Sequence, residues 1–349
     1  MTSTSEPAIT CRNLWQVFGE GAEDALNAAL SSSTDPSAVA ESLVERGLNP
    51  AVRDASFDVA EGELFVIMGL SGSGKSTLVR CLSRLLDVSG GEVLIEGEDI
   101  LRASKQRMTE LRRSKLGMVF QHFGLFPHMR VIDNVAYPLK VAGIKRAERH
   151  NTVKPIIEMV GLAGREQSYP RELSGGQRQR VGIARSLAGN CSVWFLDEPF
   201  SALDPLIRRQ LQDEFLDIRK RLKTTIVFIT HDITEALKLA DRIAIMRDGK
   251  IVQIGTPTEI VLSPVDDYVR EFSKDVAKGQ HARVGSVMQQ ETGSVGPDDP
   301  GLTANMTLDA ALLHCMGLYE PVPVRDESGK VIGTVHPSAL AAALQVEEG

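Results

Sequence analysis

The stretch that most restricts this chain is Gly69-Leu-Ser-Gly-Ser-Gly-Lys-Ser76. It fits G-x-x-x-x-G-K-[ST] and sits between an apolar run, LFVIM, and a helical pattern over Thr77–Leu86. Strand, glycine-rich loop and helix form the context in which this spacing makes a phosphate cradle. Glycines let the backbone wrap close to an anion and turn consecutive N–H groups inward. The helix N-terminus adds its positive end to the same point. The binding set read here is Gly69, Ser71, Gly72, Ser73, Gly74, Lys75, Ser76 and Thr77. Lys75 is placed to reach the β- and γ-phosphates of a nucleoside triphosphate, and the Ser76 hydroxyl to ligate Mg²⁺.

A cradle of this kind belongs to an α/β fold, and the flanking pattern agrees. Residues 8–18 read as a strand, and 20–50 as an Ala- and Ser-rich helical insert with Asp35-Pro36 as a helix start and Gly47 as a stop. From 52 to about 262, apolar strands alternate with helices, as in a largely parallel sheet. Asp248-Gly249, between Arg242–Met246 and Lys250–Ile254, predicts a hairpin. At 349 residues the chain has room for one large domain and a small second one. Its net charge of -7 gives no reason to expect nucleic acid as a partner. Cys11, Cys81, Cys191 and Cys315 form no CxxC pair, which argues against zinc or a disulfide framework and suits a reducing compartment. The N-terminus lacks the pattern of a secretory signal. The longest apolar runs are far short of the roughly 18 residues of a membrane helix, so transport across a bilayer would need partners.

Two further patterns carry chemistry. Val193-Trp-Phe-Leu-Asp197-Glu198 is an apolar strand ending in paired carboxylates, which puts the acids at its C-terminal end beside the phosphate loop. Asp197 is expected to hold Mg²⁺, and Glu198 to polarise the attacking water. Leu173-Ser174-Gly175-Gly176-Gln177, before a helix, is a second glycine-rich anion site or a tight capping turn. One ATP needs one cradle. A two-fold dimer, in which this turn closes on the γ-phosphate held by the other copy, reconciles the two.

With the phosphate loop, these motifs resemble the ATP-binding-cassette family over about residues 8–275. The resemblance includes Gln121 in MVFQHFGLFPHMRVIDNV, LSGGQRQRV, FLDEPFSALD and His231 in ITHD, in the family's order. It implies ATP and Mg²⁺ as ligands and an ATP hydrolase with a helical subdomain at about 121–176. It assigns Gln121 to Mg²⁺, the attacking water and the relay to a transmembrane permease. It assigns Asp204 to the dimer contact, His231 to sensing the γ-phosphate, and an aromatic to the adenine. Phe18 matches that last position, with Trp15 as competitor.

Within the family, NLWQVFGE, the 20–50 insert, FSALDPLIRRQLQDE and DYVREF are most similar to importers of quaternary-amine osmoprotectants. That implies a peripheral subunit on the cytoplasmic face of the membrane, with permease subunits and, indirectly, a periplasmic or surface solute-binding protein. The alternatives are an importer of another solute, such as an amino acid or sulfate, or a cassette ATPase that works off the membrane. The expected domains are 1–276 for the ATPase, 277–306 as a linker or a degraded first half, and 307–349 as a single small α+β unit. That unit resembles one CBS module. His336 and Ala339 stand where many such modules place Thr and Asp for a ribose, which speaks against nucleotide binding there. Residues 276–349 hold nine acids and four Lys/Arg, which marks a solvated acidic face or a salt-sensitive dimer contact.

Overall fold

In the computed structural model, the described residues are 6–119, 124–189, 191–201, 203–221, 224–274, 276, 278–289, 301–315, 318, 320–326 and 328–344. β1 (Ile9–Phe18) turns into α1 (Ala22–Ser32) and α2 (Pro36–Glu45) before β2 (Asn49–Val59) returns antiparallel to β1. The second helix begins where its chemistry requires. Asp35 accepts from the N–H groups of Ser37 and Ala38, and Pro36, which has no N–H to lose, occupies the first turn. Gly47, at φ 76, then turns the chain. Leu26, Ala29, Val39, Ala40 and Leu43 close over Trp15, Val17 and Leu48 as a small core of their own.

β3 (Leu64–Met68), buried at every position, feeds the phosphate loop and α3 (Lys75–Leu82). β4 (Gly90–Ile95) and β5 (Glu98–Asp99) complete an antiparallel sheet of order β2-β1-β4-β5. α4 (Lys105–Ser114) precedes β6 (Leu116–Val119). A helical layer follows, made of α5 (Val131–Val135), α6 (Tyr137–Val141), α7 (Arg146–Met159) and α8 (Gly175–Ala188). Buried Asn134 organises its entry, accepting from Phe126 N and donating to the carbonyls of Phe126 and Met129.

β7 (Val193–Asp197), α9 (Pro205–Arg221), β8 (Thr225–Thr230), α10 (Ile233–Leu239), β9 (Arg242–Arg247) and β10 (Lys250–Gly255) follow in turn. The larger sheet has the order β10-β9-β3-β8-β7-β6, and within it β3 pairs parallel with β8, β8 with β7 and β7 with β6. The three phosphate-side strands β3, β8 and β7 therefore lie side by side and end at the same edge. That edge is where open α/β sheets place ligands.

The chain divides into two compact units, Met1–Asp232 with Ala244–Val252, and Ile233–Ile243 with Gln253–Gly349. This division differs from the composition change near 277 for a packing reason. In the second unit α11 (Pro257–Leu262), α12 (Asp267–Ser273) and α13 (Lys278–His281) precede the tail, and Leu262 packs on the tail's own core. Ala282, Val284 and Leu302, from the segment read as linker or degraded half, are buried in that same core with Leu308, Val322, Val324, Val335 and Leu340. Its sheet joins β11 (Leu302–Thr303) parallel to β12 (Val322–Arg325), across α14 (Leu308–His314), and pairs β12 antiparallel to β13 (Val331–Val335). α15 (Pro337–Leu344) closes the unit. His336 serves this last helix locally, its Nδ1 meeting Ser338 Oγ at 2.6 Å and accepting from Ser338 N at 3.2 Å.

Candidate nucleotide-binding and hydrolysis site

The phosphate loop is held from behind by backbone. Gly69 (φ 153) passes so close to Met246 that a Cβ would lie 2.2 Å from its carbonyl oxygen, and one on Gly74 (φ 99) would lie 2.3 Å from the Ala51 carbonyl. No other residue type fits either place. Lys75 is buried at 5% exposure and its Nζ donates to the carbonyls of Gly69 and Leu70, both at 2.9 Å. Burial pushes its ammonium below the usual lysine value, against the pull of Glu198 and Asp197. The ammonium thus caps its own loop, and a triphosphate would offer it charged oxygens in place of neutral carbonyls. Buried Ser73 has an Oγ with no hydrogen-bond partner among the described residues. Ser71 and Gly72 lie on the exposed rim.

Ser76 Oγ donates to Asp197 Oδ1 at 3.1 Å, joining the start of α3 to the end of β7. Burial raises the Asp197 pKa, and the Ser76 bond and nearby Arg80 oppose the shift. A hydroxyl and a carboxylate side by side are hard oxygen donors. Mg²⁺ takes one or two such protein ligands and completes its shell with phosphate and water, so the pair fits that ion. No cluster of three or more His, Cys, Asp or Glu residues able to hold a metal occurs among the described residues, so a protein-only cage is not what this edge provides.

Glu198 follows Asp197 with φ 45, in the left-handed region that a residue with a side chain avoids. Its N–H donates to Ile229 O, and Ser201 Oγ donates to its carbonyl. Such a conformation persists only where the surroundings enforce it, at a cost of about 1–3 kcal/mol. It turns the carboxylate across to the end of β8, where Oε2 lies 3.2 Å from His231 Nδ1. Lys75, Ser76, Asp197, Glu198 and His231 therefore meet at the ends of adjacent strands.

Phe18 is 40% exposed at the end of β1, whereas Trp15 is buried at 1% beneath the insert helices. Ser174 and Gln177 form a reciprocal cap, with Gln177 N donating to Ser174 Oγ and Ser174 N to Gln177 Oε1. That leaves the serine hydroxyl its own proton to donate outward. Gly176 has a packing role that the sequence did not suggest, since a Cβ there would come within 2.8 Å of Ile207. Asp204, exposed, accepts from Ile207 N. Gln121 lies outside the described residues. One residue missed in the sequence is Arg208, which donates to Leu203 O and pairs with Asp232, tying the segment before α9 to the residue after His231. Its only signal was the Asp that completes ITHD.

Known proteins resemble this chain over most of its length. A family model described as ABC transporter matches residues 52–201. The trimethylamine N-oxide transport system ATP-binding protein TmoW of Pelagibacter ubique is 47% identical, covering 96% of this chain and 97% of its own. The glycine betaine/proline betaine transport system ATP-binding protein ProV of Escherichia coli is 43% identical, over 98% of this chain and 84% of its own. The ATP-binding cassette MJ0796, solved as a dimer in a post-hydrolysis state bound to ADP and Pi, matches with a TM-score of 0.59 and 28% identity. It covers 71% of this chain and 98% of that one. This chain belongs to the ABC transporter family, as one of its ATP-binding, ATP-hydrolysing subunits.

Proposed function

We propose that two copies of this chain drive the uptake of a methylated-amine osmolyte, of the glycine betaine or trimethylamine N-oxide type, through separate permease subunits. In this reading the chain sits peripherally at the cytoplasmic face of the membrane, and a solute-binding protein on the outer side supplies the cargo. The observation that carries the hydrolytic part is the meeting of Lys75, the Ser76–Asp197 pair and the Glu198–His231 pair at one sheet edge. The solute rests on similarity to TmoW and ProV across nearly the whole chain.

The chain's own groups account for the chemistry. The loop N–H groups and Lys75 bind the triphosphate, and Phe18 stacks on the adenine, worth roughly 1–3 kcal/mol. Ser76 and Asp197 would hold Mg²⁺, which would supply positive charge against that building on the phosphate oxygens. Glu198 orients a water and accepts its proton as the water oxygen bonds to the γ-phosphorus. The bond from that phosphorus to the ADP oxygen breaks, and ADP leaves with the electron pair. His231 fixes the Glu198 carboxylate and faces the same γ-phosphate. Ser174 of the second copy donates its free hydroxyl proton to that phosphate, with Gly175, Gly176 and Gln177 shaping the turn and Asp204 facing the dimer contact. Gln121 carries the nucleotide state to the permease.

Uptake of labelled glycine betaine and trimethylamine N-oxide, with and without this subunit in vesicles holding its permease, tests the solute. Accumulation of neither, with amino acid or sulfate uptake instead, would replace the proposed cargo.

A further inference from the structure

The helical insert between β1 and β2 has no part in the chemistry above, yet its contacts converge on the nucleotide site. We infer that α1–α2 is a built-in buttress of that site, and that Lys250, through its bond to Ser37, is a positioning residue for the phosphate loop. The inference rests on the ATP site as read above.

Both strands that leave the insert reach the site. Phe18 pairs with Asn49 across the mouth of the insert, so the exposed aromatic and the start of β2 are held in register by the same small core of Trp15, Val17, Leu26, Leu43 and Leu48. Two residues beyond Asn49, the Ala51 carbonyl forms the surface against which Gly74 lies. The second support is the turn between β9 and β10. Gly249 N donates to Ser73 O of the phosphate loop at 3.0 Å, and Gly249 O accepts from Arg53 N of β2 at 2.8 Å. Lys250 is the next residue, and its Nζ donates to Ser37 Oγ in the first turn of α2 at 2.7 Å. Insert, turn and loop are thus one chain of contacts, Ser37 to Lys250 to Gly249 to Ser73.

The chemistry of the latch favours positioning over mere stability. An ammonium at the N-terminal turn of a helix opposes the helix dipole. Its partner there is a hydroxyl, not a carboxylate. Helix stability does not call for this bond, but fixing the turn that supports Ser73 does. Buried interiors offer discrete arrangements and not a continuum, so releasing the turn would let the phosphate loop settle elsewhere.

The test titrates the purified full chain with ATP and, separately, with inorganic tripolyphosphate, which lacks the base. Lys250→Met and Ser37→Ala are expected to weaken both ligands by about 3- to 10-fold, the scale of one hydrogen bond. They should raise KM for ATP with kcat and melting temperature unchanged, a split that a purely structural loss would not produce. Phe18→Ser is expected to weaken ATP alone. If both latch variants bind tripolyphosphate as the parent does, the buttress inference is overturned, whatever Phe18→Ser does. If Phe18→Ser leaves ATP affinity intact, the adenine reading fails, and the tripolyphosphate result still decides the latch.

Discussion

The C-terminal edge of the six-stranded sheet and the small C-terminal unit handle polar groups in opposite ways. In the small unit, polar side chains close the elements they belong to. Thr307 accepts from Ala310 N at the start of α14, Asp326 accepts from the N–H groups of Ser328 and Lys330, and His336 caps α15. The Ser328 hydroxyl also donates to Asp326 and does most to hold that carboxyl below its ordinary value, with the two N–H bonds adding to it. At the sheet edge the polar groups are held short of satisfaction. Ser73 Oγ has no partner among the described residues, Lys75 makes do with loop carbonyls, Asp197 is buried with its pKa raised, and Glu198 sits at a left-handed φ. A site that binds must keep valences open, and this edge does so.

Substitutions can break that contrast, beginning with the largest expected effect. Glu198→Gln should lower turnover by about 10²–10⁴-fold while ATP still binds, so that a nucleotide-bound dimer accumulates on gel filtration. Hydrolysis at the parental rate would remove Glu198 from the role of base. Lys75→Ala deletes charge-assisted bonds worth about 1.5–3 kcal/mol, so a fluorescent ATP analogue should bind about 10- to 150-fold more weakly. Ser174→Ala loses a helix cap worth about 1 kcal/mol and the outward hydroxyl. Turnover at saturating ATP should fall roughly tenfold with single-copy ATP affinity retained, and a matching loss of affinity would instead make the turn part of the same-copy cradle.

Asp197→Asn sharpens the contrast through stability. A carboxyl whose folded pKa is raised contributes stability below its unfolded pKa and loses it as pH rises through the folded value. The nucleotide-free parent therefore gives up stability between acid and neutral pH that the amide variant keeps. At neutral pH the variant should melt higher yet lose Mg²⁺-dependent ATP binding, and a lower melting temperature would mean the carboxylate stabilises the fold. On the other side of the contrast, Leu308→Ala should destabilise the C-terminal unit by about 2–5 kcal/mol, read in its unfolding transition. Basal ATP hydrolysis should be unchanged, and a parallel loss of hydrolysis would tie the two regions together.

Local chemistry was legible wherever one residue type dictates one backbone. Glycine spacing around Lys75, the apolar run before it, Asp35-Pro36 at a helix start and Asp248-Gly249 at a turn each name their structure, because capping, φ and N–H availability act over a few residues. The Ser174 turn was readable both as a helix cap and as a donor, and the reciprocal cap with Gln177 leaves room for both. Position relative to distant chain was not legible. Nothing in the one-dimensional pattern says that Gly74 must be glycine because of Ala51, that Gly176 must be small because of Ile207, or that Lys250 reaches Ser37. The 277–306 segment looked loop-like, yet Ala282, Val284 and Leu302 are core. Their short apolar contributions have no period to detect.

By itself the sequence determined that the chain holds a phosphate cradle on a parallel sheet, with paired acids on one strand and a histidine on the next. Those features are encoded in contiguous residues and enforced by short-range sterics and hydrogen bonding. Only the tertiary structure decided how Glu198 turns towards His231, what stands behind the phosphate loop and where the compact units divide. Each of these depends on surfaces meeting across tens to hundreds of residues, where close packing, not local propensity, selects the arrangement.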